Sequence, residues 1–361
     1  MIINIKKYKV ILLLSTFILT FFGLFMIKES SDIWAKYLYD DEMYFFKRQA
    51  IFIILGIVSF FVASRIRIEY LKKVSTLFLI ITIVLLLLVL IPGLGITKNG
   101  STSWLGTKEF SIQPSELLKI SLILYFAYYL EKHFDASDKL RTLLFPIFIL
   151  LISFGLIMLQ PDFGTAFIII LGIISMLFCS RVRYKWFIFL IVCGLFGVTI
   201  LIIKEGYRMK RITAFIDPFS DSLGSGFQII QSLFALGPGG IVGKGFNGSV
   251  QKHYYLPEPQ TDFIFAIIGE EFGLIGSFIV IILYVLIFYS AYKIILNSNS
   301  IFKSMLYLGI ISIFAFQVLI NLGVVVGLLP VTGITLPLIS YGGSSLIIEL
   351  FSLGIIYGDK Q

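Results

Sequence analysis

Apolar runs long enough to cross a bilayer recur from one end of this chain to the other, and that recurrence decides what it can fold into. A spanning helix needs about 20 predominantly apolar residues, because in hydrocarbon the backbone must satisfy its own hydrogen bonds. The runs predict helices over about 8–27, 49–64, 74–92, 115–131, 143–160, 163–180, 186–203, 263–292, 305–329 and 339–357. The expected fold is therefore an all-α polytopic membrane protein of about ten transmembrane helices. Gly269, Gly273 and Gly276 interrupt the eighth run. A large extracytoplasmic loop separates the seventh helix from the eighth.

Composition agrees. Of 361 residues, 58% are hydrophobic and 14% charged, against roughly 25% charged in soluble domains. No Pro/Ser-rich linker or internal repeat divides the chain, so residues 1–361 read as a single integral membrane domain. The first run follows Lys6, Lys7 and Lys9 like the start of a signal peptide. It lacks a small-residue cleavage site and reads as an uncleaved first helix. The net charge of +8 reports topology and anionic lipid; no basic module with interleaved aromatics points to nucleic acid. Cys179 and Cys193 lack metal-ligand spacing, and His133 and His253 are the only histidines, which excludes a His-rich metal site.

Lys and Arg distribution orients the chain. With the N-terminus cytoplasmic, the inner segments hold Lys6, Lys7, Lys9, Arg65, Arg67, Lys72, Lys73, Lys132, Lys139, Arg141, Arg181, Arg183 and Lys185. The outer turns at 160–163 and 330–338 hold none. Lys47 and Arg48 run against the rule. Two outer loops are long, Gly93 to about Pro114 and about Lys204 to Thr261. Loops of such length in compact proteins are functional or disordered. The second carries an amphipathic piece, FQIIQSLFALGPGG, suited to the membrane surface.

Charged residues in this outer region carry the chemistry. LPEPQTDFIFAIIGEE (256–271) places Asp262 after Thr261, a candidate N-cap. Asp262 is either a helix-stabilising carboxylate or a general base desolvated by Phe263, Ile264 and Phe265. Glu258 is held between Pro257 and Pro259. Glu270 and Glu271 lie about two turns inward, where at least one must leave the lipid face and pair or line a cavity. In YRMKR (207–211), Arg208 and Arg211 share a helix face; with Lys204, Lys210, Lys244 and Lys252 they make this loop a candidate phosphate clamp. GPGGIVGKGFNG (237–248) fails the Walker pattern at Pro238 and Gly245. Its GKGFNG piece lacks a βαβ context and reads as a turn-rich loop, with Lys244 reaching toward a phosphate. Trp104 in STSWLG is by default an interfacial aromatic. Ser115 is a candidate cap for the fourth helix, with Glu116 and Lys119 in its first turn. Asp162 in QPDFGT caps the sixth helix or orients a cation. PVTGITLPLISYGGSS (330–345) is broken backbone of the kind that lines cavities, with Ser344 a candidate substrate contact.

SWLG with FSIQPSELLK, QPDFGT, RMKRITAFIDPFSDSLGSGFQIIQS, LPEPQTDFIFAIIGEEFGLIG and GLLPVTGITLPLISYGGSS occur in this order from about residue 100 to 345. Together they resemble the SEDS proteins, the RodA/FtsW/SpoVE group, and are closest to its FtsW/SpoVE branch. One departure is Phe219 after Asp217-Pro218, where the family commonly has Trp. The resemblance implies a peptidoglycan glycosyltransferase that joins lipid II units at the outer face of the bacterial plasma membrane, for division, shape or sporulation. It implies a class B penicillin-binding protein as partner, with other divisome or elongasome membrane proteins. The family's essential aspartate falls on Asp262 and its important loop Trp on Trp104. The residue chemistry fits: Asp262 as base, with Arg208, Arg211 and Lys244 holding the diphosphate. No cofactor is required, although a divalent cation beside the diphosphate is compatible with it; no metal ligands are assigned. A flippase with the same polar cavity, or a non-catalytic division scaffold, are the alternative readings.

Overall fold

The computed structural model describes residues 5–358 apart from 99, 108, 109, 137, 205 and 254. Among these lie twelve α-helices: α1 (Ile5–Tyr39), α2 (Tyr44–Ala63), α3 (Ile68–Val89), α4 (Pro114–Lys132), α5 (Leu140–Met158), α6 (Phe163–Phe178), α7 (Tyr184–Lys204), α8 (Gly206–Ile216), α9 (Phe227–Gly239), α10 (Ile264–Ile295), α11 (Ile301–Val325) and α12 (Gly343–Tyr357). Six of them, α1, α2, α3, α5, α10 and α11, are long and apolar enough to cross a membrane. The protein is a multi-pass membrane protein. The first long loop is not helical: β1 (Gly95–Lys98), β2 (Ser101–Gly106) and β3 (Ser111–Ile112) form an antiparallel sheet in that order. Ser101 and Ser103 hydroxyls donate to the Gln160 carbonyl at 2.5 and 3.2 Å, which pins the sheet to the turn before α6.

The bundle is built around α4, packed between α3, α6, α11 and α12. Nearly every α4 side chain from Pro114 to Ala127 is buried. Its polar residues are tolerated because it faces protein rather than lipid; the Ser121 hydroxyl, for example, is 2.8 Å from that of Thr82 on α3. Ser115 is not the cap expected of it. Gln113 holds the N-cap position and Pro114 begins the helix, where a missing N–H costs nothing.

Two elements depart from the apolar pattern for the same reason, a distant polar partner. α1 continues to Tyr39, well beyond residue 27, and carries Glu29, Ser30 and Ser31 into the interior. The serine hydroxyls donate back to the Ile27 carbonyl, while the partner of Glu29 is Lys252, only 1% exposed, whose ammonium lies 3.7 Å from Glu29, 3.8 Å from Asp32 and 3.9 Å from Glu271. Asn247 also accepts from it. The last helix begins at Gly343 rather than 339, because Tyr341 N–H donates to Gln260 O, far outside any helix, and Leu338 sits at positive φ.

The eighth apolar run breaks inside α10. Gly273 has φ 62° and ψ −157°, a region essentially open to glycine alone. The helix groups freed there are taken up by the 240–245 loop. Lys244 and Gly245 N–H donate to Glu270 and Glu271 carbonyls at 2.9 and 3.0 Å. Leu274 and Ile275 N–H donate to Gly240 and Ile241 carbonyls at 2.9 and 3.1 Å. The glycines of GPGGIVGKGFNG thus serve this splint: a Cβ on Gly243 would lie 2.1 Å from Glu271 O. Gly273→Ala is expected to lower the thermal midpoint in detergent, through strain of about 1–3 kcal/mol and a Cβ placed 2.4 Å from Gly243 N.

Candidate active site

Asp262 stands just ahead of α10. The helix takes Phe263 as its N-cap, with no side-chain cap bond, so neither Thr261 nor Asp262 serves as the expected cap. The Asp262 carboxylate is therefore not committed to the helix end. Its backbone is fixed instead: Asn321 on α11 donates to the carbonyls of Asp262 and Ile334, each at 2.7 Å. The Thr261 hydroxyl lies 3.0 Å from Asp262 Oδ1 and 2.7 Å from Glu258 O, one proton between two acceptors. Glu258 adopts φ +44° between its two prolines, a left-handed geometry rare outside glycine.

Electrostatically the site is mixed. Burial pushes the Asp262 carboxyl above the ordinary carboxylate range; the Arg211 charge opposes that shift and Glu258 adds to it. Arg211 is positioned by α8, where its guanidinium donates to Val331 O at 2.8 Å. Arg208, three residues back on the same helix, lies 5.9 Å from the centre of the Phe163 ring, beside Asp162. Asp162 caps α6 by accepting from Thr165 N–H at 3.1 Å, and its other oxygen accepts from Gln113 Nε2 at 2.9 Å. Gln113 N–H donates to Ser344 Oγ at 3.3 Å. Trp104, half-buried on β2, carries the Lys98 ammonium 5.5 Å from its ring centre.

Deeper in the bundle, Lys119 donates to Glu116 at 2.7 Å and to Gln317 at 3.3 Å. Gln317 reaches Glu349 at 3.4 Å, and Glu349 accepts from Leu338 N–H at 2.9 Å. These four side chains line a cavity of about 30 Å³, the room one water needs. Among the described residues no cluster of three or more His, Cys, Asp or Glu side chains is arranged to hold a metal ion.

The profile of the family described as Cell cycle protein, which groups FtsW, RodA and SpoVE, matches residues 9–358. Stage V sporulation protein E of Bacillus subtilis is 44% identical over 347 residues, 96% of this chain and 95% of its own. The probable peptidoglycan glycosyltransferase FtsW of Trichlorobacter lovleyi is 40% identical, covering 98% of this chain and 93% of its own. The chain belongs to the FtsW/RodA/SpoVE family. Among solved structures, a chain from a peptidoglycan synthase complex that coordinates polymerization and crosslinking superposes with TM-score 0.78 at 28% identity, covering 96% of this chain and 95% of its own. Rod shape determining protein RodA of Thermus thermophilus gives 0.71 at 25%, covering 96% and 94%.

In this SEDS protein the sequence-derived residues separate by position. Asp262 feels the charges of Arg211 and Glu258; Gln113 joins Asp162 to Ser344, Arg208 faces the Phe163 ring, and Trp104 meets Lys98 on the sheet. Lys244, expected at the phosphate, is instead bound to Glu270 at 2.7 Å. Glu270 also accepts from Ser249 Oγ, Val250 N–H and Gln251 N–H, so this pair fastens the splint loop to α10. Glu271 is fully buried beside Lys252. Sequence reasoning missed Asn321, Gln113 and Tyr341. Asn321 was visible as an amide inside an apolar run, a placement that demands a buried partner.

Proposed function

We propose that this SEDS protein is a peptidoglycan glycosyltransferase that polymerises lipid II into glycan strands at the outer face of the plasma membrane. The observation that carries this reading is Asp262 itself: a carboxylate not used as a cap, desolvated, backbone-pinned and answered by Arg211. The names of its relatives support the same activity. In this reading the Asp262 carboxylate takes the proton of the acceptor sugar hydroxyl as that oxygen attacks the anomeric carbon of the donor. The bond from that carbon to the lipid diphosphate breaks, and Arg208 and Arg211 stabilise the departing charge. A diphosphate is a good leaving group once neutralised, so one base and a cation clamp suffice where glycosidases use two carboxylates. A divalent cation accompanying the diphosphate would add charge neutralisation there.

The proposed topology has ten membrane-spanning segments in one domain and both termini cytoplasmic, with α8, α9 and the sheet on the outer side. The proposed partner is a class B penicillin-binding protein, in keeping with the synthase complex described above. Asn321→Leu removes both hydrogen bonds that fix the Asp262 backbone. Turnover is expected to fall about tenfold or more, with KM for lipid II little changed, in a steady-state assay of the purified variant. The test of the function is product formation from lipid II in detergent, where no leaflet remains to be crossed. Glycan product supports the polymerase, and transport in liposomes without product would favour a flippase.

A further inference from the structure

Between α11 and α12 the backbone from 330 to 342 is not helical, although most of it is buried. Polar backbone groups in such a place need partners from the protein, and side chains of other elements supply them. Asn321 donates to Ile334 O at 2.7 Å and Gln317 Nε2 to Thr335 O at 3.3 Å. The Tyr284 hydroxyl donates to Pro337 O. Leu338, at φ +66°, donates its N–H to Glu349 at 2.9 Å. Gln317 and Asn321 are four residues apart on α11 and share a face. Asn321 also donates to Asp262 O at 2.7 Å, so one amide fastens both this segment and the Asp262 backbone.

Glu349 closes the far end of this arrangement. It is buried on α12, at the end of a chain of contacts that starts from the Glu116–Lys119 pair. An ammonium can only donate. Lys119, 3.3 Å from Gln317 Oε1, therefore turns that amide so that Nε2 faces Thr335 O and, at 3.4 Å, Glu349 Oε1. The other Glu349 oxygen takes the Leu338 N–H. A carboxylate buried at this depth is costly and marks a demand that an apolar side chain cannot meet. Here the demand is for an acceptor that holds both Gln317 and Leu338.

We propose that Glu349 is a positioning residue for glycan polymerisation: it fixes the 334–338 segment and, through Gln317 and Asn321, the place of the Asp262 carboxylate. The proposal rests on the polymerase reading. Leucine at 349 suits its apolar neighbours but leaves Leu338 N–H and Gln317 Nε2 short of an acceptor. The segment then relaxes, and the Asp262 backbone moves with it. A catalytic group misplaced by about 1 Å can lose about 10²-fold in rate. The groups that bind substrate stay where they are, so the loss falls on turnover.

The test is steady-state polymerisation of lipid II by the purified full chain in detergent, with turnover counted per folded, monodisperse protein. Glu349→Leu is expected to lower turnover about tenfold with KM little changed. Glu349→Gln keeps an oxygen for Leu338 N–H and stays within about threefold of wild type. Glu349→Leu combined with Asn321→Leu falls no further than Asn321→Leu alone, because both act through one segment. Wild-type turnover in Glu349→Leu, equal losses in the Gln and Leu variants, or losses that multiply in the double variant overturn the proposal. If Glu349→Leu fails to fold, Gln317→Met must lower turnover about tenfold at unchanged KM; wild-type turnover there overturns it. A wild-type protein that makes no glycan would instead refute the polymerase reading.

Discussion

Asp262→Asn is expected to reduce lipid II polymerisation by about 10²- to 10⁴-fold, the range a positioned general base supplies. The amide keeps the shape of the carboxylate and its bond to Thr261 but accepts no proton. The loss should fall on turnover and leave substrate affinity near the wild-type value, since the diphosphates bind elsewhere. Wild-type activity should fall as pH drops through an acid limb. Burial raises the Asp262 carboxyl, so that limb lies above about 3.9, the ordinary aspartate value. Stability moves the other way. A carboxyl raised in the folded state binds its proton more tightly there, so its stabilising contribution is full below about pH 3.9 and is lost as pH rises through the folded value. At neutral pH the Asn variant should therefore be at least as stable as wild type, which separates loss of a base from loss of fold in a thermal melt.

Lys252→Met is expected to be the most damaging single change outside the site. Lys252 is buried, and its ammonium lies within 4 Å of Glu29, Asp32 and Glu271. Methionine retains the volume of the stem and leaves these carboxylates without their shared cation. Removing one partner of a buried ion pair costs about 3–5 kcal/mol, because the remaining charge has no water to return to. The expected results are a large fall in thermal midpoint and faster proteolysis of the loop following α9. Glu271→Gln added to Lys252→Met should restore part of the loss, since Glu271 is the fully buried member. A wild-type melt for Lys252→Met would show that this cluster does not hold α1, α10 and the loop together.

What the sequence discloses and what it hides follow from the range of the forces involved. Spanning helices are written locally in apolar runs: each of the ten expected runs contains a helix, and six of these helices are long and apolar enough to cross a membrane. The extension of α1 was hidden because Glu29 and Asp32 look like the end of an apolar run until Lys252, more than 200 residues later, is placed beside them. The sheet around Trp104 was hidden because its strands are short and polar and are held by Gln160. Asp262 was legible as a carboxylate at a helix mouth. Position could not separate a cap from a base; the helix takes its N-cap at Phe263 with no side-chain cap bond, so Asp262 does not cap it. The pairing of Lys244 with Glu270 was hidden because charge in a loop does not disclose its partner, and Glu270 lies inside an apolar helix.

The measurement closest to the central claim is glycan formation from lipid II by purified wild type and Asp262→Asn, side by side in detergent across pH. The expected result is product from wild type, with a rate that rises through the acid limb, and product from the Asn variant at no more than about a hundredth of that rate. Equal rates from the two proteins, with no acid limb that depends on Asp262, would contradict the assignment of Asp262 as the base.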